Sequence, residues 1–401
     1  VISKNTRLLV LVIAFLATSV GMMGFAAASP LLNLWIADFG ITHAEGGRLS
    51  GLWYLPGLFV SLPSGWLFDR YSIKRVLLVF WILIVVGIAI MAFAPNFLVI
   101  CIGRLLFSAG MNAHMVGAPK LISTWFAGSK RAGLAMGLYT MSFPTGFFLS
   151  LNILGRIGND QGWRPAMFAM LVITLIGFLL LFLIPNLSTP RDETTLRIPF
   201  NPFKLGWAPW VLSLGYFGYS IGTEAYLAFT PDYLVRQQGF ALVVASALVG
   251  SYAWTSFFLK PPFSAFMKAK NAPYFVIIAS LLAIGGMVLL LTGATSPIIP
   301  SLIMGMSLAF GMPSLYAIPA FLVGHERSGQ VYGLYHLFYS LGFFAQWAMG
   351  YAIDSRFGYT GGYGVMMACC LLGLICVLPM IGRSHDDSKF VELETSFKES
   401  D

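Results

Sequence analysis

Apolar runs long enough to cross a bilayer recur from one end of this sequence to the other, and that recurrence leaves few folds open. A helix needs about 20 consecutive apolar residues to span the hydrocarbon. Inside lipid only helices and closed barrels satisfy every backbone donor and acceptor internally. Barrel strands alternate apolar and polar residues, and these runs do not. Read in order, they predict twelve helical spans near residues 8–35, 46–67, 76–94, 98–124, 132–154, 165–185, 208–230, 241–261, 273–292, 298–322, 329–352 and 363–382. The first run is too long for a signal peptide and lacks a cleavage site, so it is assigned as the first membrane helix. The expected protein is all-α, multi-pass and embedded in a lipid bilayer.

Only 10% of the 401 residues are charged, against 58% hydrophobic. Mean hydropathy is +0.80. The net charge of +8 calls for no nucleic acid, because most Lys and Arg flank the apolar runs. Sixteen of them fall in one set of loops and tails: Lys4 and Arg7; Arg70, Lys74 and Arg75; Lys130 and Arg131; Arg191, Arg197 and Lys204; Lys268 and Lys270; Arg327; Arg383, Lys389 and Lys398. Five, Arg48, Arg156, Arg164, Arg236 and Arg356, fall in the other set. By the positive-inside rule both termini are cytoplasmic. The polar stretch 186–206 then links two six-helix bundles, 1–185 and 207–383, and 384–401 is a cytoplasmic tail. Cys101, Cys369, Cys370 and Cys376 lie inside apolar runs without metal-ligand spacing, so they read as packing residues.

The halves repeat. Arg131-Ala-Gly133-Leu-Ala-Met-Gly137-Leu138-Tyr139 answers Arg327-Ser-Gly329-Gln-Val-Tyr-Gly333-Leu334-Tyr335, and Gly146-Phe147-Phe148 answers Gly342-Phe343-Phe344 at the same offset. Two like-oriented six-span halves imply pseudo-symmetry about an axis along the membrane normal.

Between spans 2 and 3 the chain reads Gly65-Trp-Leu-Phe-Asp69-Arg70-Tyr-Ser72-Ile73-Lys74-Arg75. This stretch resembles the loop signature of the major facilitator superfamily, Gly-x-x-x-Asp-Arg-x-Gly-Arg-Lys. Gly65, Asp69, Arg70 and Lys74 match, while Ser72 and Ile73 depart from it. The resemblance extends along nearly the whole chain. It implies a rocker-switch secondary transporter with a central cavity between the halves, monomeric and in a bacterial inner membrane. It makes Gly65, Asp69, Arg70, Lys74 and Arg75 a conformational latch. Asp69 is expected to face the start of helix 11 near Gly329 and to pair with Arg70 or Arg75.

Arg104 in span 4 resembles the family's helix-4 arginine. In span 5, Pro144 and Gly146 remain but the glycine pairs of the drug-antiporter signature do not. The runs Pro119–Phe126 and Arg131–Gly137 are similar to permeases of small inorganic or organic anions.

An ionisable group at a helix centre costs about 2.5–3.5 kcal/mol and demands a partner or water. Glu224 in span 7 is the one acid well inside a span and is the expected proton-coupling residue. Arg104 and Lys260 are the expected binders of an anionic small-molecule substrate. His114, close to the face of Arg104, and His336 and Tyr335 of span 11 are further candidates. Lys120 is expected to snorkel to the cytoplasmic interface. Three cations and two histidines against one carboxylate favour an anionic cargo. No phosphate-binding loop, metal-spaced cluster or nucleophilic triad is visible, so an enzyme, a metal site and a cofactor are not expected. The leading expectation is a proton symporter of a small mono- or dicarboxylate. The alternatives are a proton-coupled exporter of drugs or amphiphiles, and a non-transporting receptor or scaffold.

Overall fold

The computed structural model describes residues 4–41, 45, 49, 51–185, 202–268 and 271–381. Most of the expected linker, 186–201, and the expected tail lie outside these residues.

The described chain is helical, with α1 at Lys4–Ala26, α2 at Ala28–Phe39, α3 at Gly57–Arg70, α4 at Ile73–Ala92 and α5 at Phe97–Trp125. Next come α6 at Ala132–Thr140, α7 at Ser142–Leu149, a π-helical turn at Ser150–Leu154, α8 at Gly155–Gln161 and α9 at Trp163–Leu181. The second half holds α10 at Trp207–Gln238, α11 at Leu242–Phe266, α12 at Ala272–Thr292, α13 at Ile298–Ser340, α14 at Gly342–Asp354 and α15 at Gly358–Val377. Where consecutive pieces run on, as α1 into α2 and α6 into α8, they form single long segments. Helix α13 is two helices, because Gly324 breaks it with φ 76° and ψ 165°, a left-handed φ that suits glycine. The result is the twelve segments expected from the apolar runs. Among the described residues eight are individually long and apolar enough to cross a membrane. Helix α3 falls short with 14 residues.

Side chains are sorted as lipid requires. Large apolar groups such as Phe59 and Trp347, each 72% exposed, face outward, while Ser61, Ser64, Asn112, Ser220 and Ser256 are buried. A water-soluble core would hold the reverse.

The chain forms two compact units. Unit 1 is Val1–Trp125, Tyr139–Pro202 and Glu326–Ser340; unit 2 is Phe126–Leu138, Phe203–His325 and Leu341–Asp401. Each unit therefore takes in a short segment from the other sequence half, and those segments hold the repeated glycines. In unit 1, α4 and α5 meet where a Cβ on Gly87 would sit 2.7 Å from the Gly103 carbonyl oxygen, and one on Gly103 would sit 2.7 Å from that of Gly87. In unit 2, α10 meets α15 in the same way, with a Cβ on Gly222 falling 2.8 Å from the Met366 carbonyl oxygen. Small residues permit this approach, and close packing is the main adhesive between helices in lipid.

Candidate functional site

In unit 1 the polar contacts gather at two levels. One is the end of α3. The Asp69 side chain is fully buried, and its carboxylate accepts hydrogen bonds from the backbone amides of Gly329 (2.8 Å) and Gln330 (2.9 Å). These amides lie in the early turns after the Gly324 break, where the helix dipole favours an anion. Glycine lets the two backbones meet: a Cβ on Gly65 would lie 3.0 Å from the Gly329 carbonyl carbon, and one on Gly333 would lie 2.7 Å from the Ser61 carbonyl oxygen.

The third partner of Asp69 differs from expectation. It is Lys120 of α5, whose Nζ bonds Oδ1 of Asp69. Lys120 is 4% exposed, so it does not snorkel to the interface. Nor do Arg70 and Arg75 serve as the partner. The Arg70 guanidinium lies over the rings of Trp66 (5.2 Å) and Tyr71 (5.9 Å), and Arg75 is exposed. Lys74 donates to the Phe182 carbonyl at the end of α9 (2.7 Å), where a cation complements the helix dipole. A lysine held deep in the packing gains more from a buried carboxylate than two arginines at the surface would, because the dielectric there is low.

The other level is the break between α1 and α2. Pro30 has no N–H to return to the Ala26 carbonyl, and its ring crowds that turn, which opens the helix. Arg104 fills the opening, donating from Nη1 to the Gly24 carbonyl (2.9 Å) and from Nη2 to that of Phe25 (2.8 Å). The guanidinium also lies 5.7 Å from the centre of the Phe25 ring. His114, 1% exposed, faces the same helix. Trp81 Nε1 donates to its Nδ1 (2.9 Å), so the neutral ring carries its proton on Nε2, which donates to Thr18 Oγ1 (2.8 Å). Both expected anion contacts thus have polar atoms engaged with α1. His336 is bonded to the Met115 backbone, and Tyr335 is fully buried with its ring 6.1 Å from that of Tyr332. Composition alone offered no signal for Trp81 or Thr18. The depth of Lys120 in span 4 was the one signal for its buried role.

Unit 2 holds Lys260 and Glu224. Lys260 is fully buried on α11, and Ser256 and Ser264 sit four residues to either side of it, on one helix face. Both hydroxyls are buried, and among the described residues neither has a hydrogen-bond partner. Pro261 and Pro262 follow directly, and having no N–H they leave the carbonyls of Phe257 and Phe258 without their usual helical donors. The repeated glycines of α6 seat against this stretch: a Cβ on Gly133 would lie 2.8 Å from the Ser264 carbonyl oxygen, and one on Gly137 would lie 3.3 Å from that of Lys260. Glu224 is half-buried at mid-length on α10, in electrostatic range of Tyr216 and Tyr252. Lys260 and Glu224 therefore share one unit, while Arg104, His114, His336, Tyr335 and the Asp69 cluster belong to the other.

The family model described as the Major Facilitator Superfamily matches residues 14–346 and again 212–399. The chain is 25% identical to a probable nitrate transporter, NarT, of Staphylococcus haemolyticus, over 92% of this chain and 94% of that protein. It is 22% identical to a probable galactarate/D-glucarate transporter, GudP, of Escherichia coli, over 97% of this chain and 96% of that one. Its fold is similar to the crystal structure of the human organic anion transporter MFSD10, with a TM-score of 0.71, 15% identity, and coverage of 92% of this chain and 98% of that one.

Proposed function

The chain belongs to the major facilitator superfamily, whose members are transporters and not enzymes, and from that premise we propose that it carries a small organic anion, a mono- or dicarboxylate, by proton-coupled alternating access. One observation carries the reading: the fully buried Lys260, flanked on its own helix face by two buried hydroxyls that have no hydrogen-bond partner among the described residues. An ammonium and two free hydroxyls offer the donors that a carboxylate accepts, at a depth where charge-assisted bonds are strong. The relatives named for nitrate and for galactarate or glucarate agree in the sign of the cargo. Arg104 and His114 enter the proposal as residues that shape the opening in the first segment. His336 and Tyr335 are proposed as further substrate contacts, and Glu224 as the proton-coupling carboxylate. The Asp69 cluster, with Gly65, Arg70, Lys74 and Arg75, is proposed as the latch that holds the segment after Gly324 in one conformational state.

Thermal unfolding of the purified protein with nitrate, lactate, glucarate, a hexose, an amino acid and a cationic dye tests this, because a ligand of the native state raises the midpoint. A carboxylate is expected to raise it. Lys260→Met is expected to weaken that carboxylate about 10- to 100-fold, the worth of a hydrogen bond to a charged group, about 1.5–3 kcal/mol. A shift by the dye alone, or unchanged affinity in the variant, contradicts the proposal.

A further inference from the structure

The first and fifth segments of unit 1 break side by side. The first breaks at Ala27, where α1 gives way to α2. The fifth breaks at the π-helical turn Ser150–Leu154, between α7 and α8, where the Gly155 amide reaches back five residues to the Ser150 carbonyl. Just before the breaks, the Phe25 and Phe147 rings meet edge to face at 5.5 Å, and a Cβ on Gly146 would lie 2.5 Å from the Ser19 carbonyl oxygen. Just after them, a Cβ on Gly155 would lie 3.5 Å from Cβ of Pro30, and one on Gly158 would lie 2.7 Å from Cδ2 of Leu31. So α1 packs on α7 and α2 packs on α8, with both breaks at one level between the pairs. Pro30 removes a ladder hydrogen bond at one break, and the wider π turn loosens the other. Both are causes of helix bending.

The far end of α2 is fastened by one small cluster. Asp38 Oδ2 accepts from Trp163 Nε1 (2.9 Å) and from Arg164 Nη1 (3.0 Å), both at the start of α9. Arg164 Nη2 donates to the Ala94 carbonyl just past α4 (3.4 Å), and its guanidinium lies 4.3 Å from the centre of the Trp163 ring. That ring packs 5.4 Å from the ring of Phe39. Asp38 and Arg164 are exposed, while Trp163 is buried. An exposed ion pair holds weakly, so most of the fastening falls to the indole N–H donated to a charged acceptor. Helix α8 joins α9 through one residue, Gly162, whose φ of 95° suits glycine. Below the breaks the anchoring is deeper, because Arg104 of α5 holds the Gly24 and Phe25 carbonyls of α1.

We propose that α2 and α8 form a two-helix lid at that end of unit 1, hinged at Ala27 and Ser150–Leu154 and latched by Asp38 to Trp163 and Arg164. The two helices swing as one body because Gly155 and Gly158 let α8 pack directly on Pro30 and Leu31. The segments below stay in place, with α1 held by Arg104 and packed on α7 at Gly146. The hinge lies next to the carbonyls that Arg104 holds, so the swing opens unit 1 down to that residue. Packing alone would need neither break, since two straight helices with the same glycine contacts would adhere as well. Two weak points at one level, under a single fastening at the tip, are what a lid requires.

The test reads the position of the lid and needs no identified substrate. Trifluoromethyl-phenylalanine is placed, one site at a time, in place of Ala37 on α2, Asn159 on α8 or Phe148 on α7, all exposed. Fluorine NMR of the full-length protein in lipid nanodiscs then resolves the environments of each label. Trp163→Phe removes the indole donor and keeps an aromatic ring. Loss of a hydrogen bond to a charged group shifts an equilibrium by about tenfold or more. A second line should therefore grow about tenfold at the Ala37 and Asn159 sites, in equal proportion, with the Phe148 site unchanged. Asp38→Asn weakens the acceptor and should act in the same direction, and it serves should Trp163→Phe fail to fold. Growth at only one lid site overturns the single body. Growth at all three sites shows general loosening and overturns the hinge. Unchanged spectra in both variants overturn the latch.

Discussion

The Asp69–Lys120 pair makes a sharp energetic prediction. The two side chains are 0% and 5% exposed, and the carboxylate has three donors: Lys120 and the amides of Gly329 and Gln330. Lys120→Met strands a buried carboxylate on two amides, and removing one member of a buried pair costs about 3–5 kcal/mol. Asp69→Asn keeps the shape but leaves Lys120 as the stranded charge, and it turns an amide NH2 toward donors. Asp69→Asn/Lys120→Met removes both charges together, so it should lose less stability than the Lys120→Met variant alone. The coupling between the two sites is then about 3 kcal/mol, at the upper end for residues in one network. Chemical unfolding of the four purified proteins in detergent, closing the double-mutant cycle, measures it. Additive losses would show that the two side chains are independent and would refute the pairing.

Three further outcomes follow from the geometry. Asp69→Asn should reduce transport while insertion into the membrane stays intact, and wild-type transport kinetics in that variant would sink the latch. Gly333→Leu should destabilise the protein by about 1–3 kcal/mol, the usual cost of overpacking, because even a Cβ there lies 2.7 Å from the Ser61 carbonyl oxygen; an unchanged unfolding midpoint would deny the close approach. His114→Phe orphans the Trp81 indole N–H and the Thr18 hydroxyl, at about 1–3 kcal/mol for each buried group left unpaired. The accompanying loss of stability should appear without any change in anion affinity.

What could be read from the sequence tracks what lipid dictates. Twelve segments follow from composition, since the cost of an unsatisfied backbone in hydrocarbon leaves helices as the answer wherever apolar runs recur. The glycine repeat pointed to segments packed alike in both halves, and the structure places those glycines where backbones meet, Gly329 and Gly333 on α3 and Gly133 and Gly137 on α11. The breaks were not equally visible. The break at Gly324 falls between the expected spans 298–322 and 329–352, beside the polar run His325–Ser328, whereas the opening before Pro30 interrupts an apolar run with no polar run to announce it. Partner choice was hidden for a different reason. Lys120 is 51 positions from Asp69 and Arg70 is adjacent to it, so proximity in sequence favoured the wrong cation. His114 and Arg104 were expected near one face, and both reach α1, but their bonds there depend on Trp81, Thr18 and the carbonyls of Gly24 and Phe25, which no spacing reveals. Buried hydroxyl pairs on α10, such as Tyr216 with Tyr316 (2.9 Å) and Tyr226 with Ser301 (2.9 Å), were hidden because tyrosine and serine in apolar runs read as packing.

Proton-coupled carriage of an organic anion is measured by uptake into proteoliposomes. Labelled lactate and glucarate are offered outside vesicles holding the purified protein, with and without an inward proton gradient. A carboxylate should accumulate, the gradient should stimulate that accumulation, and Glu224→Gln should lose the stimulation. Efflux of a cationic dye with no carboxylate uptake, or no flux of any solute under either condition, would contradict it.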